Sequence, residues 1–155
     1  MAPAQASLLA KLDTQERVRD FLTNAIASGR ASHAYLFLGA PGAGKLDAAW
    51  ALAQAFLCEQ DGCGSCDSCV RVARHTHPDV HYYTPESATG YLIAQTRELL
   101  DDVPLAPIRA KAKVYIIDRA EQLRANTANA LLKTLEEPPE GVMFILLGTS
   151  ADVML

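Results

Sequence analysis

A glycine-rich segment holds the first residues whose types and spacing suggest chemistry. Residues 39–46, GAPGAGKL, match the G-x-x-x-x-G-K pattern of a phosphate-binding loop. Gly39, Gly42 and Gly44 permit backbone dihedrals that turn several N–H groups toward a phosphate. Lys45 would then reach the β- and γ-phosphates of a nucleotide. The alternative is a glycine turn that only packs a helix against a strand.

The last position of this pattern differs in a way that concerns magnesium. A Ser or Thr after the lysine would offer a hydroxyl to Mg²⁺, whereas this chain has Leu46. Because leucine has no oxygen, the metal loses one protein ligand, and we predict that Mg²⁺ is not tightly held. Binding of ATP or ADP through the loop and Lys45 stays an open alternative to no binding.

A second motif, KVYIID at residues 113–118, ends in a carboxylate. Its apolar run is typical of a central parallel strand, and Asp118 at the tip would lie near the Mg²⁺. ATPases of the AAA+ class carry a glutamate next, which orients the attacking water, but here Arg119 follows. Glu121 is predicted to face elsewhere on a helix. With Leu46 and Arg119 both altered, we predict no catalytic residues and no ATP hydrolysis; the alternative for Asp118 is a helix cap.

All four cysteines of the chain fall in one short stretch with C-x4-C-x2-C-x2-C spacing: Cys58, Cys63, Cys66 and Cys69. Four thiolates this close suit tetrahedral Zn²⁺, and a fully protein-filled site would be structural. A disulfide pair, free buried thiols and an iron–sulfur cluster are the alternatives. Three nearby histidines are interpreted as surface or packing residues rather than ligands: His75, His77 and His81.

Helical and strand patterns alternate around these motifs. We predict helices at residues 14–28, 44–57, 91–103 and 120–137, the last with a break near 125–127, and strands at 33–39, 80–84, 113–118 and 142–149. The alternation favours an α/β fold with a parallel sheet. Apolar spacing predicts two buried helix faces: Val18, Phe21, Leu22, Ala25 and Ile26 in the first helix, and Leu131, Leu132 and Leu135 in the last. Residues 58–70 show no periodicity.

Composition limits the class of protein. The 155 residues suit one domain, and a net charge of −4 argues against a free-standing DNA-binding module. The N-terminus lacks a signal-peptide pattern and no apolar run reaches the ~20 residues of a membrane span, so we predict a cytoplasmic protein with reduced thiols. The chain stops directly after an apolar, strand-like run, which indicates a truncated domain.

Several segments in one order carry a resemblance to a known family: residues 33–45, the cysteine insertion 58–69, HPDV at 77–80, residues 113–123, NALLKTLEEPP at 129–139 and FILLGT at 144–149. From about residue 14 onward the chain resembles the clamp-loader subunits of bacterial DNA polymerase III. The combination of NALLKTLEEPP with the cysteine insertion is specific, whereas the phosphate loop alone is not.

The resemblance implies a three-layer α/β P-loop fold of AAA+ type, with a small zinc insertion after the first P-loop helix. The family strand order would be 2-3-4-1, with a fifth strand missing, so residues 1–155 would form an incomplete N-terminal domain. Thr149 would be the sensor residue, with Gly148 as the alternative. A Ser-Arg-Cys motif, a lid domain and a collar domain would lie beyond Leu155.

The family contains two subunit types that share these motifs. The gamma/tau type is a motor with a complete G-x-x-x-x-G-K-T motif and an Asp-Glu pair, whereas the delta-prime type is a stator. Leu46 and Arg119 make this chain more similar to delta-prime. The implied partners are gamma/tau and delta subunits, and the sliding clamp and primed DNA through the assembly, with no membrane. The alternatives are an active gamma/tau motor and a different P-loop enzyme that uses its cysteines on nucleic acid.

Overall fold

The computed structural model describes residues 7–12 and 15–149. Four parallel strands alternate with helices: α1 (Glu16–Ala27), β1 (Ala34–Leu38), α2 (Lys45–Leu57), α3 (Asp67–Ala73), β2 (Val80–Tyr83), α4 (Ile93–Asp102), β3 (Lys113–Ile117), α5 (Ala125–Glu136) and β4 (Val142–Gly148). Short 3₁₀ turns occupy Leu9–Lys11 and Ala120–Gln122. No helix in the described ranges is long and apolar enough to cross a bilayer.

The sheet has the strand order β1-β4-β3-β2, and all three strand pairs are parallel. This is the order that the family resemblance implied. In register, Tyr115 of β3 lies opposite Phe144 of β4, and Leu36 of β1 lies opposite Leu146. Because parallel strands share one direction, their carboxyl ends lie along one edge of the sheet, where the phosphate loop and Asp118 follow β1 and β3.

Helices cover both faces of the sheet. Val114 and Ile116 belong to an apolar cluster with residues of α1 and α2, whereas Tyr115 and Ile117 belong to a second cluster with residues of α4 and α5. Every residue of β3 is buried, so its continuous apolar run reflects contact on two sides. The predicted three-layer α/β fold is therefore confirmed.

Helix α3 is the main element that the sequence patterns missed. The prediction left residues 58–70 without structure, but Asp67 begins a seven-residue helix. Its N-cap is Cys66, whose sulfur accepts a hydrogen bond from the Cys69 N–H at 3.3 Å. Cysteine spacing, and not apolar periodicity, sets this helix, which is why the periodicity rule did not find it. The predicted break near residue 125 is confirmed, because α5 begins there.

Four apolar side chains predicted to be buried are exposed. Phe21 and Leu132 are 64% and 51% exposed, so the buried face of each helix is narrower than predicted and excludes these two residues. Leu36 and Leu38 of β1 are also exposed, at 46% and 45%. Among the described residues β1 pairs with β4 alone, so Leu36 and Leu38 lie on an edge strand, where a side chain has fewer neighbours. The predicted start of α1 at residue 14 and the chain end after the last strand, residues 150–155, lie outside the described residues.

Candidate functional site

The phosphate loop connects β1 to α2, in the strand–loop–helix setting that the motif requires. Gly42 and Gly44 have φ values of 82° and 92°, which side-chain-bearing residues rarely adopt. Gly44 is also the N-cap of α2, so the unpaired N–H groups of the first helical turn lie beside the loop. The geometry is that of an anion-binding loop at a helix N-terminus.

Lys45 lies across the carboxyl ends of two strands. Its Nζ donates to the carbonyl oxygen of Gly39 at 2.6 Å and to that of Gly148 at 3.0 Å. The first acceptor follows β1 and the second ends β4, so the lysine bridges the segments that enclose the loop. A bound phosphate would compete with these two carbonyls for the ammonium group.

A cavity of about 410 Å³, the phosphate cavity, opens beside the loop. It brings together most of the predicted nucleotide residues, which are Gly42, Gly44, Lys45, Asp118 and Thr149. Gly39 contributes through its carbonyl to Lys45 rather than as a lining residue. Gly148 lines the cavity beside Thr149, so both sensor candidates are adjacent to it.

Leu46 and Asp118 occupy the positions in this cavity where Mg²⁺ ligands are expected. Leu46 lines it and also packs against the apolar core, where it offers no oxygen. The Asp118 carboxylate accepts hydrogen bonds from the Tyr82 hydroxyl at 2.7 Å and from the Arg119 N–H at 2.9 Å. The N-cap of the following turn is Arg119, so the alternative of Asp118 as a helix cap does not describe its position. Both oxygens of the carboxylate already have donors.

Glu121 corrects one prediction. It was expected to face away, yet it lines the phosphate cavity, and its Oε1 is buried without a hydrogen-bond partner. The cause is local: Arg119 has a left-handed conformation with φ 46°, and a 3₁₀ turn follows in place of an α-helix. The direction of the Glu121 side chain therefore cannot be predicted by treating residues 118–121 as part of an α-helix.

Two tyrosines that the sequence analysis did not select support Asp118. The Tyr91 hydroxyl lies 2.9 Å from the carbonyl oxygen of Tyr83 and 2.5 Å from that of Asp118, and its single proton is shared between these two acceptors. Burial raises the pKa of Tyr82, and the neighbouring Asp118 carboxylate raises it further, so this hydroxyl keeps its proton at neutral pH. The sequence signal for Tyr82 was its place in the VHYYT strand, but strand alternation alone does not show which hydroxyl reaches Asp118. Tyr91 lies outside that strand and had no such signal.

The four cysteines form a compact cluster that can hold a metal ion. Their sulfur atoms all lie within 4.8 Å of one another, and none forms a disulfide. The sulfurs of Cys58 and Cys66 are 3.9 Å apart. Zinc–sulfur bonds of about 2.3 Å in a tetrahedron place sulfurs roughly 3.8 Å apart, so the cluster fits such an ion. The disulfide alternative is excluded in this structure.

Backbone N–H groups point at these sulfurs. Cys58 Sγ accepts from the N–H groups of Gln60 and Cys63, at 3.3 and 3.4 Å. Hydrogen bonds from the N–H groups of Ser65 and Cys66 lower the pKa of Cys63 to about 6, so its thiolate is available at neutral pH. Burial raises the pKa of Cys66. The second thiol therefore needs a cation before it loses its proton.

The neighbouring histidines have packing roles, as predicted. His77 is buried, and its Nδ1 accepts the Asp79 N–H at 3.0 Å. His75 stacks on Trp50, with ring centroids 3.9 Å apart, and the His81 Nε2 lies 3.3 Å from a carboxylate oxygen of Asp102. Within the described residues, the group of side chains that could hold a metal ion consists of the four cysteines.

The chain is similar in sequence to known proteins. Residues 14–155 match the profile of the family described as DNA polymerase III, delta subunit. The chain is 42% identical over 138 residues to DNA polymerase III subunit delta' of Bacillus subtilis, covering 87% of this chain and 42% of that protein. It is 43% identical over 139 residues to subunit tau of Escherichia coli K12, covering 87% of this chain and 21% of that protein. The chain thus spans less than half of either relative.

The fold also has a solved counterpart. A DNA polymerase III gamma subunit-related protein from Thermotoga maritima superimposes with a TM-score of 0.60 at 20% identity, over 88% of this chain and 40% of that one. At this identity the likeness supports the fold. The phosphate loop, the cysteine cluster and the profile match over residues 14–155 together show that the chain belongs to the DNA polymerase III delta-subunit family of clamp-loader proteins.

Proposed function

We propose that the full-length protein is a clamp-loader subunit of the delta-prime type, a stator that helps to load the sliding clamp on primed DNA without hydrolysing ATP itself. The observation that carries this proposal is the chemistry of the phosphate cavity. Leu46 offers no oxygen to Mg²⁺, and Arg119 occupies the position where a motor subunit has its water-orienting glutamate. Two separate parts of the hydrolysis machinery are therefore altered.

In this proposal residues 1–155 are the N-terminal P-loop domain of a longer protein. ATP or ADP binds through the phosphate loop and Lys45, with little help from Mg²⁺. The protein works in the cytoplasm with gamma/tau and delta subunits and meets the clamp and DNA as part of that assembly. The similarity to relatives named delta' and tau supports these partners.

We also propose that the cysteine cluster holds one structural zinc ion. Its four sulfurs leave no position for a substrate or a catalytic water, and the ion would fix the fold of the loop. Metal analysis of the purified full-length protein should give one zinc per chain. Visible absorption with stoichiometric iron would instead indicate an iron–sulfur cluster.

A second candidate, an active motor of the gamma/tau type, has an observation of its own. Glu121 lines the phosphate cavity, where a carboxylate can orient a water, and its Oε1 is buried without a hydrogen-bond partner. In this alternative Glu121 replaces the missing glutamate at position 119, and the metal tolerates Leu46. The stator proposal gives Glu121 no role in turnover.

Steady-state ATP hydrolysis by the full-length protein, alone and with its partner subunits, separates the two candidates. The stator proposal expects no Mg²⁺-dependent turnover above background for the isolated subunit, and no further loss in Lys45→Ala. In the assembly, Lys45→Ala and Glu121→Gln should leave the total rate unchanged. Robust turnover by the isolated subunit that falls in both variants would establish the motor instead.

A further inference from the structure

Gln54 is a fully buried polar residue that the proposed function does not use. It lies near the end of α2, surrounded by alanines and leucines, and its exposed fraction is 0%. A buried amide is costly unless its donors and its acceptor find partners. Those partners lie in two different segments of the chain.

The amide group of Gln54 bridges these segments. Its Nε2 donates to the carbonyl oxygen of Cys69 at 3.0 Å, and its Oε1 accepts the Leu8 N–H at 2.9 Å. One partner is a cysteine of the cluster. The other belongs to residues 7–12, here called the N-terminal segment.

The cluster side of this bridge depends on the cysteine geometry. Cys69 is completely buried, and its N–H donates to the Cys66 sulfur at 3.3 Å. The backbone carbonyl of Gln54 also accepts the N–H of Cys58 at 3.1 Å. Gln54 thus contacts the first and the last cysteine of the cluster. An ion that draws the four sulfurs together would therefore fix the positions of the Cys58 N–H and the Cys69 carbonyl.

The other side of the bridge reaches a second cavity. Leu8, Lys11 and Leu12 of the N-terminal segment line a space of about 380 Å³, here called the flanking cavity. Gly44 of the phosphate loop and Asp47 of α2 line it as well. The N-terminal segment therefore forms a wall beside the phosphate loop.

The cysteine loop also comes close to the same segment at Gly62. A Cβ added at this glycine would lie 3.3 Å from the Ala55 Cα and 3.8 Å from the Ser7 hydroxyl oxygen. Ser7 is itself buried. The cysteine loop, α2 and the N-terminal segment thus meet in one packed region around Gln54.

We propose that Gln54 is a positioning residue that couples metal occupancy of the cysteine cluster to the order of the N-terminal segment. With the ion bound, the Cys69 carbonyl holds the amide in the orientation that accepts the Leu8 N–H. Without the ion, the carbonyl loses its fixed place and the segment opens more often. The wall of the flanking cavity then loosens. This inference rests on the metal assignment made above.

Hydrogen–deuterium exchange of the full-length protein tests the coupling directly. Peptides covering residues 7–12 should exchange at least about 5-fold faster after the zinc is removed with a chelator under reducing conditions. Peptides covering β3 should change little, which separates local opening from global unfolding. Equal exchange of the segment with and without metal, in a protein that binds zinc, would overturn the coupling alone.

Gln54→Met keeps the side-chain length and removes both hydrogen bonds. In the zinc-loaded variant the N-terminal segment should already exchange about 5-fold faster than in the zinc-loaded wild type. Removal of zinc should then add little, because the substitution and the loss of zinc both break the same Gln54 hydrogen bonds. Additive effects of the variant and of zinc removal would overturn the proposal, since a merely structural glutamine predicts additivity.

Gln95 offers a matched control on the other face of the sheet. It is also a buried glutamine, with its Nε2 donating to the Thr84 carbonyl at 2.7 Å and its Oε1 accepting the Leu92 N–H at 2.9 Å. Gln95→Met should leave exchange in residues 7–12 unchanged and zinc-dependent as in the wild type. A chain that binds no zinc in metal analysis would overturn both the metal assignment and the coupling.

Discussion

The phosphate cavity and the cysteine cluster lie at opposite ends of α2. Lys45 is the first residue of this 13-residue helix, and Cys58 directly follows its last residue. At the cysteine end the donor set for a metal is complete, with backbone N–H groups on the sulfurs. At the phosphate end the loop geometry is intact and Asp118 is present, but Leu46 and Arg119 stand where a hydroxyl and a glutamate were expected.

This contrast separates two roles that a ligand-binding loop can have. A structural metal site fails when one ligand is lost, because the ion itself supplies folding energy. A phosphate loop packs a helix against a strand whether or not hydrolysis occurs, so its fold survives loss of the catalytic groups. We therefore expect substitutions at the cysteine end to change stability and those at the phosphate end to change binding.

The largest effect should come from Cys69→Ser. The loss of a buried ligand should release the metal and lower the free energy of unfolding by about 4 kcal/mol. Urea denaturation and metal analysis of the full-length protein measure both quantities. Ser65→Ala, a change at an exposed residue of the same loop, should cost under ~0.5 kcal/mol. If Cys69→Ser kept its full zinc content and an unchanged urea midpoint, the proposed difference between the two ends of α2 would be wrong.

Asp79 holds residues 108–110 in place, and two of these residues line a cavity together with three of the four cysteines. Its buried carboxylate accepts the N–H groups of Ile108, Arg109 and Ala110 at 2.6 to 2.7 Å. Asp79→Asn should lower the free energy of unfolding by about 2 kcal/mol at neutral pH, because a neutral amide accepts these bonds less strongly.

The effect of Asp79 should depend on pH. Burial raises the pKa of this carboxyl, but the three N–H donors outweigh burial and hold the pKa below its usual range. A depressed folded-state pKa stabilises the protein above the unfolded-state value of about 3.9, and this contribution is lost as the pH falls through the folded-state pKa. The difference between wild type and Asp79→Asn should therefore shrink below about pH 4. Exposed Asp101→Asn is the control, and a pH-independent difference would contradict the assignment.

Leu46→Thr tests the phosphate end. A hydroxyl at this position restores one Mg²⁺ ligand, so the affinity for MgATP should rise about tenfold, while stability should change little. Calorimetric titration with and without Mg²⁺ measures the gain. Leu46→Val changes side-chain size without adding an oxygen and should show no gain. If both variants bind MgATP as the wild type does, the missing ligand is not what limits metal binding.

Tyr82→Phe should have the smallest effect. It removes the hydrogen bond to the Asp118 carboxylate, which should cost about 1 kcal/mol of stability and free one oxygen for a cation. Combined with Leu46→Thr, it should raise the affinity for Mg²⁺ further. Tyr35→Phe, which removes a single bond from the Ser32 N–H at 3.0 Å, is the matched control. A fall in metal affinity would show that Tyr82 orients Asp118 for the metal.

Much of the scaffold could be predicted from the sequence. Each of the four strands was located within one residue at both ends, because the buried strands are apolar runs with clear glycine or polar boundaries. The motifs also selected the four cysteines whose sulfurs cluster and most of the residues that line the phosphate cavity. The strand order followed from the resemblance to the family and not from the residue patterns. Helix α3 was missed, because its start depends on hydrogen bonds to cysteine sulfur.

The sequence by itself determined which donor groups this protein has: four thiols, one loop lysine, and no oxygen at position 46. Such chemistry is a property of the residue types and needs no partner. Only the tertiary structure decided that Glu121 faces the phosphate cavity, that Leu36 is exposed and that Gln54 joins the cysteine loop to the N-terminal segment. Each of these facts depends on which distant segments meet. The Gln54 bond to Leu8 joins residues 46 positions apart, and periodicity within one helix carries no information about such a contact.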